Sequence, residues 1–217
     1  MDPNSRYYIY LSVLLLAILG GIRKLNHKDS SYKILIGLLC LTFISELTSY
    51  WAAIKIQNNM FVYHFFAPLQ LIILGKYFDS INHNKKQKIG FIIGIIGAII
   101  AVVNTIYFQP LKILNSNFLL FEGLVIMGLS LYTFQGILTN EKIDIYKYGH
   151  FWMIVIFIFF WSITYTWWAL YTVLQEKERF LLLNVTQVLW AVNIITYSAI
   201  GFVLIYFSSE RKQLANE

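Results

Sequence analysis

Charge is what this chain has least of. Only 13% of its 217 residues are Asp, Glu, Lys or Arg, about half of the roughly 25% typical of a soluble domain. A water-facing globular surface is therefore excluded. Cysteine occurs once, as Cys40 inside an apolar run, which rules out a disulfide framework and a cysteine-based metal site. The first apolar run, between "MDPNSR" and "GGIRK", lacks a basic region before it and a small-residue cleavage site after it, so a signal peptide is not expected. What the chain has in excess is apolar and aromatic: 58% and 18% of residues, respectively. A net charge of +6 does not point to nucleic acid, because the positive residues fall in short loops between apolar runs, where membrane topology explains them. The composition is that of an integral membrane protein, with the lipid bilayer as its first partner.

About twenty apolar residues at 1.5 Å per residue cross a hydrocarbon core of about 30 Å. Seven runs qualify, at 7–22, 34–54, 60–78, 89–108, 117–138, 151–171 and 180–207. "RKLNHKDSSYK", "KIQNN", "DSINHNKKQK", "QPLKILNS", "NEKIDIYKYGH" and "LQEKER" separate them. The third is the most polar, with Pro68 inside "VYHFFAPLQ", and the last is long enough to tilt or protrude. The predicted fold is all-α: a single seven-helix membrane domain over 1–217, with no stretch left for a soluble domain. Orientation follows from lysine and arginine. The connections after runs 1, 3 and 5 and the C-terminal tail carry twelve, the N-terminus and the other connections five. This asymmetry predicts an outside N-terminus and a cytoplasmic C-terminus.

One carboxylate interrupts "LLCLTFISELTSYWAAI". Glu46 would cost about 2.5–3.5 kcal/mol if ionised in hydrocarbon, so it requires a partner, a proton or a polar cavity. Thr42, Glu46, Ser49 and Tyr50 recur at helical spacing and form one stripe. Tyr63 and Gln70 share a face of run 3, with His64 beside it. Glu122 stands near the outer start of run 5 and Asn104 near the outer end of run 4. Run 6 carries Trp161, Thr164, Tyr165 and Trp168 on its outer half; run 7 carries Asn184 and Gln187, then Trp190, Asn193 and Tyr197. The inner halves read as plainer. Such clustering predicts an aromatic-walled pocket in the outer half, lined from Glu46, Tyr50, Tyr63, His64, Gln70, Glu122, Trp161, Tyr165, Asn184, Gln187, Trp190 and Asn193. Plainer roles exist for each. Glu46 as a protonated structural group, His64 and the run-6 aromatics as interfacial residues, Glu122 as a snorkelling side chain and the amides as interhelical glue fit the same pattern. "GFIIGIIGA", Gly90 to Ala98, is a close-packing face, used within the bundle or in a homodimer.

The seven-helix plan resembles the rhodopsins, but a retinal Schiff base needs a lysine in the seventh helix. Phe180 to Phe207 has none, so no retinal or other cofactor is expected. It also resembles SWEET-type sugar transporters, which rely on helix prolines and a PQ motif. Here the prolines are Pro3, Pro68 and Pro110, and runs 1–3 do not echo runs 5–7. Lysoplasmalogenase-like membrane hydrolases are of similar size, but they carry intramembrane aspartates; Asp2, Asp29, Asp79 and Asp144 all read as loop or terminal residues. "NNMFVYHFFAPLQLIIL", Asn58 to Leu74, resembles a segment of small seven-helix proteins of Bacteroidota, with Asn58, Asn59 and His64 matching and Gln70 where that pattern has Glu. The resemblance implies a bacterial inner membrane and attaches no activity.

Three functions fit these residues. The leading one is a receptor-like or sensor-like bundle that binds a small or lipidic ligand and signals through basic inner loops to a separate cytoplasmic effector protein. The second is an enzyme acting on a lipid or isoprenoid, with Glu46 and His64 as an acid/base pair or metal ligands. One histidine and two glutamates make a thin metal site, so no metal is expected. The third is a proton- or ion-coupled transporter using Glu46 and Glu122, against which the apolar inner halves count.

Overall fold

A computed structural model describes residues 3–23, 25, 29–82, 88–140, 144–177 and 179–207, with side chains for all of these except 3–4 and 172–185. The described residues form seven α-helices, α1 (Pro3–Arg23), α2 (Ser30–Lys55), α3 (Met60–Ile81), α4 (Ile89–Tyr107), α5 (Ser116–Leu138), α6 (Gly149–Lys177) and α7 (Arg179–Tyr206), with a short 3-10 turn, Ile145–Lys147, before α6. All seven are long and apolar enough to cross a membrane. The chain is an all-helical integral membrane protein. Below, the end bearing the N-terminus and the α2–α3, α4–α5 and α6–α7 connections is called upper, the other lower.

The helix ends depart from the apolar runs where polar chemistry extends a helix beyond lipid. α2 begins four residues before its run because the Asp29 side chain accepts the Tyr32 backbone N–H at 3.1 Å, filling a donor that would otherwise be open. α6 continues through the glutamine, glutamate and lysine of the expected "LQEKER" break as far as Lys177, residue types that favour helix once clear of the membrane. Pro68 lies inside α3 without ending it, as transmembrane helices tolerate.

The helices follow one another around the bundle, α1 closing against α7, while α3 packs on α2, α4 and α5. The closest seam joins α3 and α4. Gly90, Gly94 and Gly97 are buried there. A Cβ built on Gly94 would lie 2.7 Å from the Ile72 Cα, and one on Gly75 would lie 2.6 Å from the Gly90 carbonyl carbon. The glycine face is thus filled by α3, within the bundle. Asp79 completes this seam, and it corrects the loop reading of that residue. It sits in the last turn of α3, and its two carboxylate oxygens accept the N–H groups of Gly90 and Phe91 at 2.7 and 2.8 Å. The side chain of one helix caps the start of the next. Outward, Leu16, Ile44, Phe65, Ile92, Ile96, Ile99, Leu131 and Phe202 are exposed, an apolar belt of the kind that faces lipid.

Candidate functional site

Glu46 is answered from α1. Its Oε1 accepts the Tyr10 hydroxyl at 3.2 Å, and its backbone carbonyl accepts the Tyr7 hydroxyl at 2.9 Å. Tyr7 stacks on Tyr50 at 4.3 Å, and Tyr10 lies against Tyr197 of α7 at 5.7 Å between ring centroids. Glu46 is thus held from α1 by two tyrosines, with Tyr50 of α2 and Tyr197 of α7 packed against their rings. Tyr7 and Tyr10, three apart on one face of α1, were the readable signal in the sequence. They were missed because the stripe search centred on residues deeper in the runs.

Below this cluster a narrow seam opens between α2, α3, α6 and α7. Leu35, Leu38 and Thr42 line it from α2, Gln70 and Leu74 from α3, Phe157 and Trp161 from α6, and Thr196, Tyr197 and Ile200 from α7. It holds about 440 Å³ of space including its mouth, spread along the helices as a slot and not a chamber. Its polar equipment is sparse. The Thr42 hydroxyl donates to the Leu38 carbonyl at 3.0 Å, leaving it only lone pairs to offer. Thr196 differs: it is buried, and its hydroxyl has no hydrogen-bond partner.

The other expected pocket residues are dispersed. His64 is buried on the α4 side of α3, with Nδ1 2.8 Å from the Thr105 hydroxyl and Nε2 donating to the Ile113 carbonyl at 2.9 Å. Both ring nitrogens are engaged, so the structure does not pair His64 with Glu46. The neighbouring asparagines are also architectural. The Asn58 carboxamide accepts the Met60 N–H at 2.9 Å and donates to the Lys112 carbonyl at 3.2 Å; Asn59 donates to Ser49 at 2.8 Å. Together with Asn115, which donates to the Tyr63 carbonyl at 3.2 Å, they fasten the α2–α3 hairpin to the α4–α5 loop. Asn104 serves the same loop, donating to Gln109 at 3.0 Å.

On α6, Trp161 lines the slot, whereas Tyr165 packs beside Gly123 of α5. On α7, the Trp190 indole donates to the Arg6 carbonyl at 2.8 Å, tying the helix to the N-terminal segment. Gln187 is exposed and so does not enter the interior, Asn193 is half-buried, and the Asn184 side chain lies outside the described residues. Glu122 does not snorkel. It is fully buried, and neither carboxyl oxygen has a partner.

The lower half is not plain, contrary to its reading in the sequence. His150, at the start of α6, donates from Nε2 to Asp29 Oδ2 at 3.3 Å, and its Nδ1 lies 3.1 Å from the Tyr77 hydroxyl. Tyr32 stacks on the imidazole at 4.3 Å. Gly149 is needed here because any side chain would strike the Tyr32 hydroxyl. Burial opposes ionisation of Asp29, but hydrogen bonds from His150 and from the Tyr32 and Ser31 backbone outweigh it and hold the carboxyl below the usual range. This chain links α2, α3 and α6, three of the four walls of the slot. Among the described residues no three His, Cys, Asp or Glu side chains converge as metal ligands would.

Compared with protein-family models, curated proteins and solved structures, the chain matches none.

Proposed function

We propose that this membrane protein binds a lipidic ligand, an apolar chain carrying one hydrogen-bonding group, in the slot between α2, α3, α6 and α7. The observation that carries the reading is the Thr196 hydroxyl, buried, unpartnered among the described residues and set with Gln70 and Thr42 in a mostly apolar wall. Buried polar groups are nearly always hydrogen-bonded, and a few polar groups in an apolar lining are the usual form of a ligand site. A single hydrocarbon chain suits the slot's narrow shape. Gln70 and Thr196 would hold its polar group, with Trp161 packed along its length.

The chain then acts as a receptor-like or sensor-like bundle. Ligand entry separates slot walls that the Asp29–His150–Tyr77 link joins at the lower end, and the change is passed there to a separate partner protein. The twelve-to-five excess of lysine and arginine supports a cytoplasmic position for that end, and the resemblance of 58–74 to a segment of Bacteroidota proteins supports a bacterial inner membrane as its setting. An acid/base enzyme built on Glu46 and His64 draws no support, because His64 is engaged by Thr105 and Ile113.

The test is ligand retention after purification in mild detergent, read by mass spectrometry of the extracted lipid. Wild type should carry a species that Thr196→Val weakens and Thr196→Phe excludes, while Tyr132→Phe, at an exposed position, retains it. Equal retention in all four proteins contradicts the proposal.

A further inference from the structure

Glu122 belongs neither to the slot nor to the tyrosine cluster around Glu46. It is 0% exposed, and both carboxyl oxygens lack a hydrogen-bond partner. One turn to either side on the same face of α5 are Phe118, Leu119 and Ile126, all buried and apolar. Among the described residues no ion pair reaches it. The titratable groups near its level on the packed helices are Tyr63 and His64 of α3, Tyr107 of α4 and Tyr165 of α6. His64 is engaged by Thr105 and Ile113, Tyr107 is exposed, and Tyr165 packs beside Gly123. Lys76, Asp79 and His150 lie toward the lower end.

An ionised carboxylate cannot persist in such a place without a cation or donors, whereas a carboxylic acid can. The acid form is nevertheless a poor structural choice, because it leaves a donor and acceptors unmet where a leucine would finish the core. We propose that Glu122 is an intramembrane proton-binding site, loaded in the arrangement seen here and emptied toward the upper end of the bundle when α5 shifts. Release breaks the carboxyl O–H bond, passes the proton to water and leaves a carboxylate that needs donors.

Those donors stand above it. α5 begins at Ser116, six residues earlier, or about 9 Å at the helical rise. There Asn104 of α4 and Gln109 of the α4–α5 connection, which lie outside α5, carry N–H groups in a network with Ser116 and Asn117 at bonds of 2.9–3.4 Å. α5 carries two glycines in its course, Gly123 packed beside Tyr165 and Trp161 and Gly128 with nothing within 4 Å of its Cβ position; the proposed shift draws on their backbone freedom. The site stands independently of any ligand in the slot.

Infrared spectroscopy of the full chain in lipid nanodiscs tests this, titrated up and down in pH for wild type, Glu122→Gln and Glu46→Gln. The expected result is a protonated-carboxyl carbonyl band missing from Glu122→Gln, lost as pH rises, and regained as it falls, with the helical circular dichroism unchanged. Carbodiimide labelling of wild type, mapped by peptide mass, reads the same group without a variant. Labelling at Glu122 should fall about tenfold per pH unit above its midpoint. A band that persists at every pH where the chain is folded makes Glu122 a permanently neutral packing group and overturns the proposal. So does the lack of any band or label assignable to Glu122, or loss of the band on adding sodium at constant pH, which would make it a cation site.

Discussion

Replacing Gly75 by alanine should open the α3–α4 seam. The new methyl group would lie 2.6 Å from the Gly90 carbonyl carbon, where carbon atoms normally stop at about 3.5–4.0 Å. The shortfall is about 1 Å, and its neighbour is backbone, which cannot rotate away. Overpacking of this kind costs about 1–3 kcal/mol. Alanine returns about 1 kcal/mol through helix propensity. Moving α4 outward also stretches the Asp79 bonds to Gly90 and Phe91, each a charge-assisted bond worth about 1.5–3 kcal/mol when fully lost. The net expectation is a destabilisation of about 1–3 kcal/mol. Gly37 is the control, because its Cβ position has nothing within 4 Å, and Gly37→Ala should gain up to about 1 kcal/mol. Tryptophan-fluorescence thermal unfolding in detergent compares the two. Opposite signs are predicted; a Gly75→Ala protein as stable as Gly37→Ala would refute the seam as described.

His64→Ala should lose about 1–3 kcal/mol by leaving the Ile113 carbonyl without its partner, the Thr105 hydroxyl keeping its bond to the Ala101 carbonyl at 2.9 Å, yet keep any lipid held in the slot, as measured by lipid retention. Asp29, whose carboxyl is held below its usual range by His150 and the α2 N-terminus, contributes stability that is present above the unfolded value of about 3.9 and is lost as pH falls through the folded one. Asp29→Asn should remove that acid-side loss of stability in a pH series of unfolding midpoints, and an unchanged acid limb would count against the link. With Cys40 replaced by alanine, single cysteines at Tyr146 and Lys112, both exposed, should label from opposite sides of the membrane, Tyr146 from the cytoplasm; labelling from one side would break the seven-span topology.

The seven helices were legible because each apolar run states its own span. Their ends were less so, since Asp29 and Asp79 act as caps through contacts that spacing does not display. Asp79 looked like a loop residue because the run ended before it, yet its carboxylate belongs to the start of α4. In the upper half, helical spacing recovered the stripe from Thr42 to Tyr50 and placed Gln70 and Trp161 on inward faces. It could not say which neighbour each polar group would meet. His64 and Asn59 had the composition of a pocket and serve as fasteners between helices and loops. The Asp29–His150–Tyr77 chain was invisible because its members are far apart in sequence and the histidine stood next to a charged loop. Glu122 was noticed, but its lack of any partner appears only once the neighbouring helices are in place.

The most direct test of the ligand slot is photolabelling in native membranes with a fatty-acid probe carrying an alkyl diazirine, followed by peptide mapping of the labelled residues. The account predicts labelling of inward residues around Gln70, Trp161 and Thr196, reduced in Thr196→Phe, above the background on belt residues such as Ile44 and Ile99. Labelling confined to that belt, unchanged by Thr196→Phe, would contradict it.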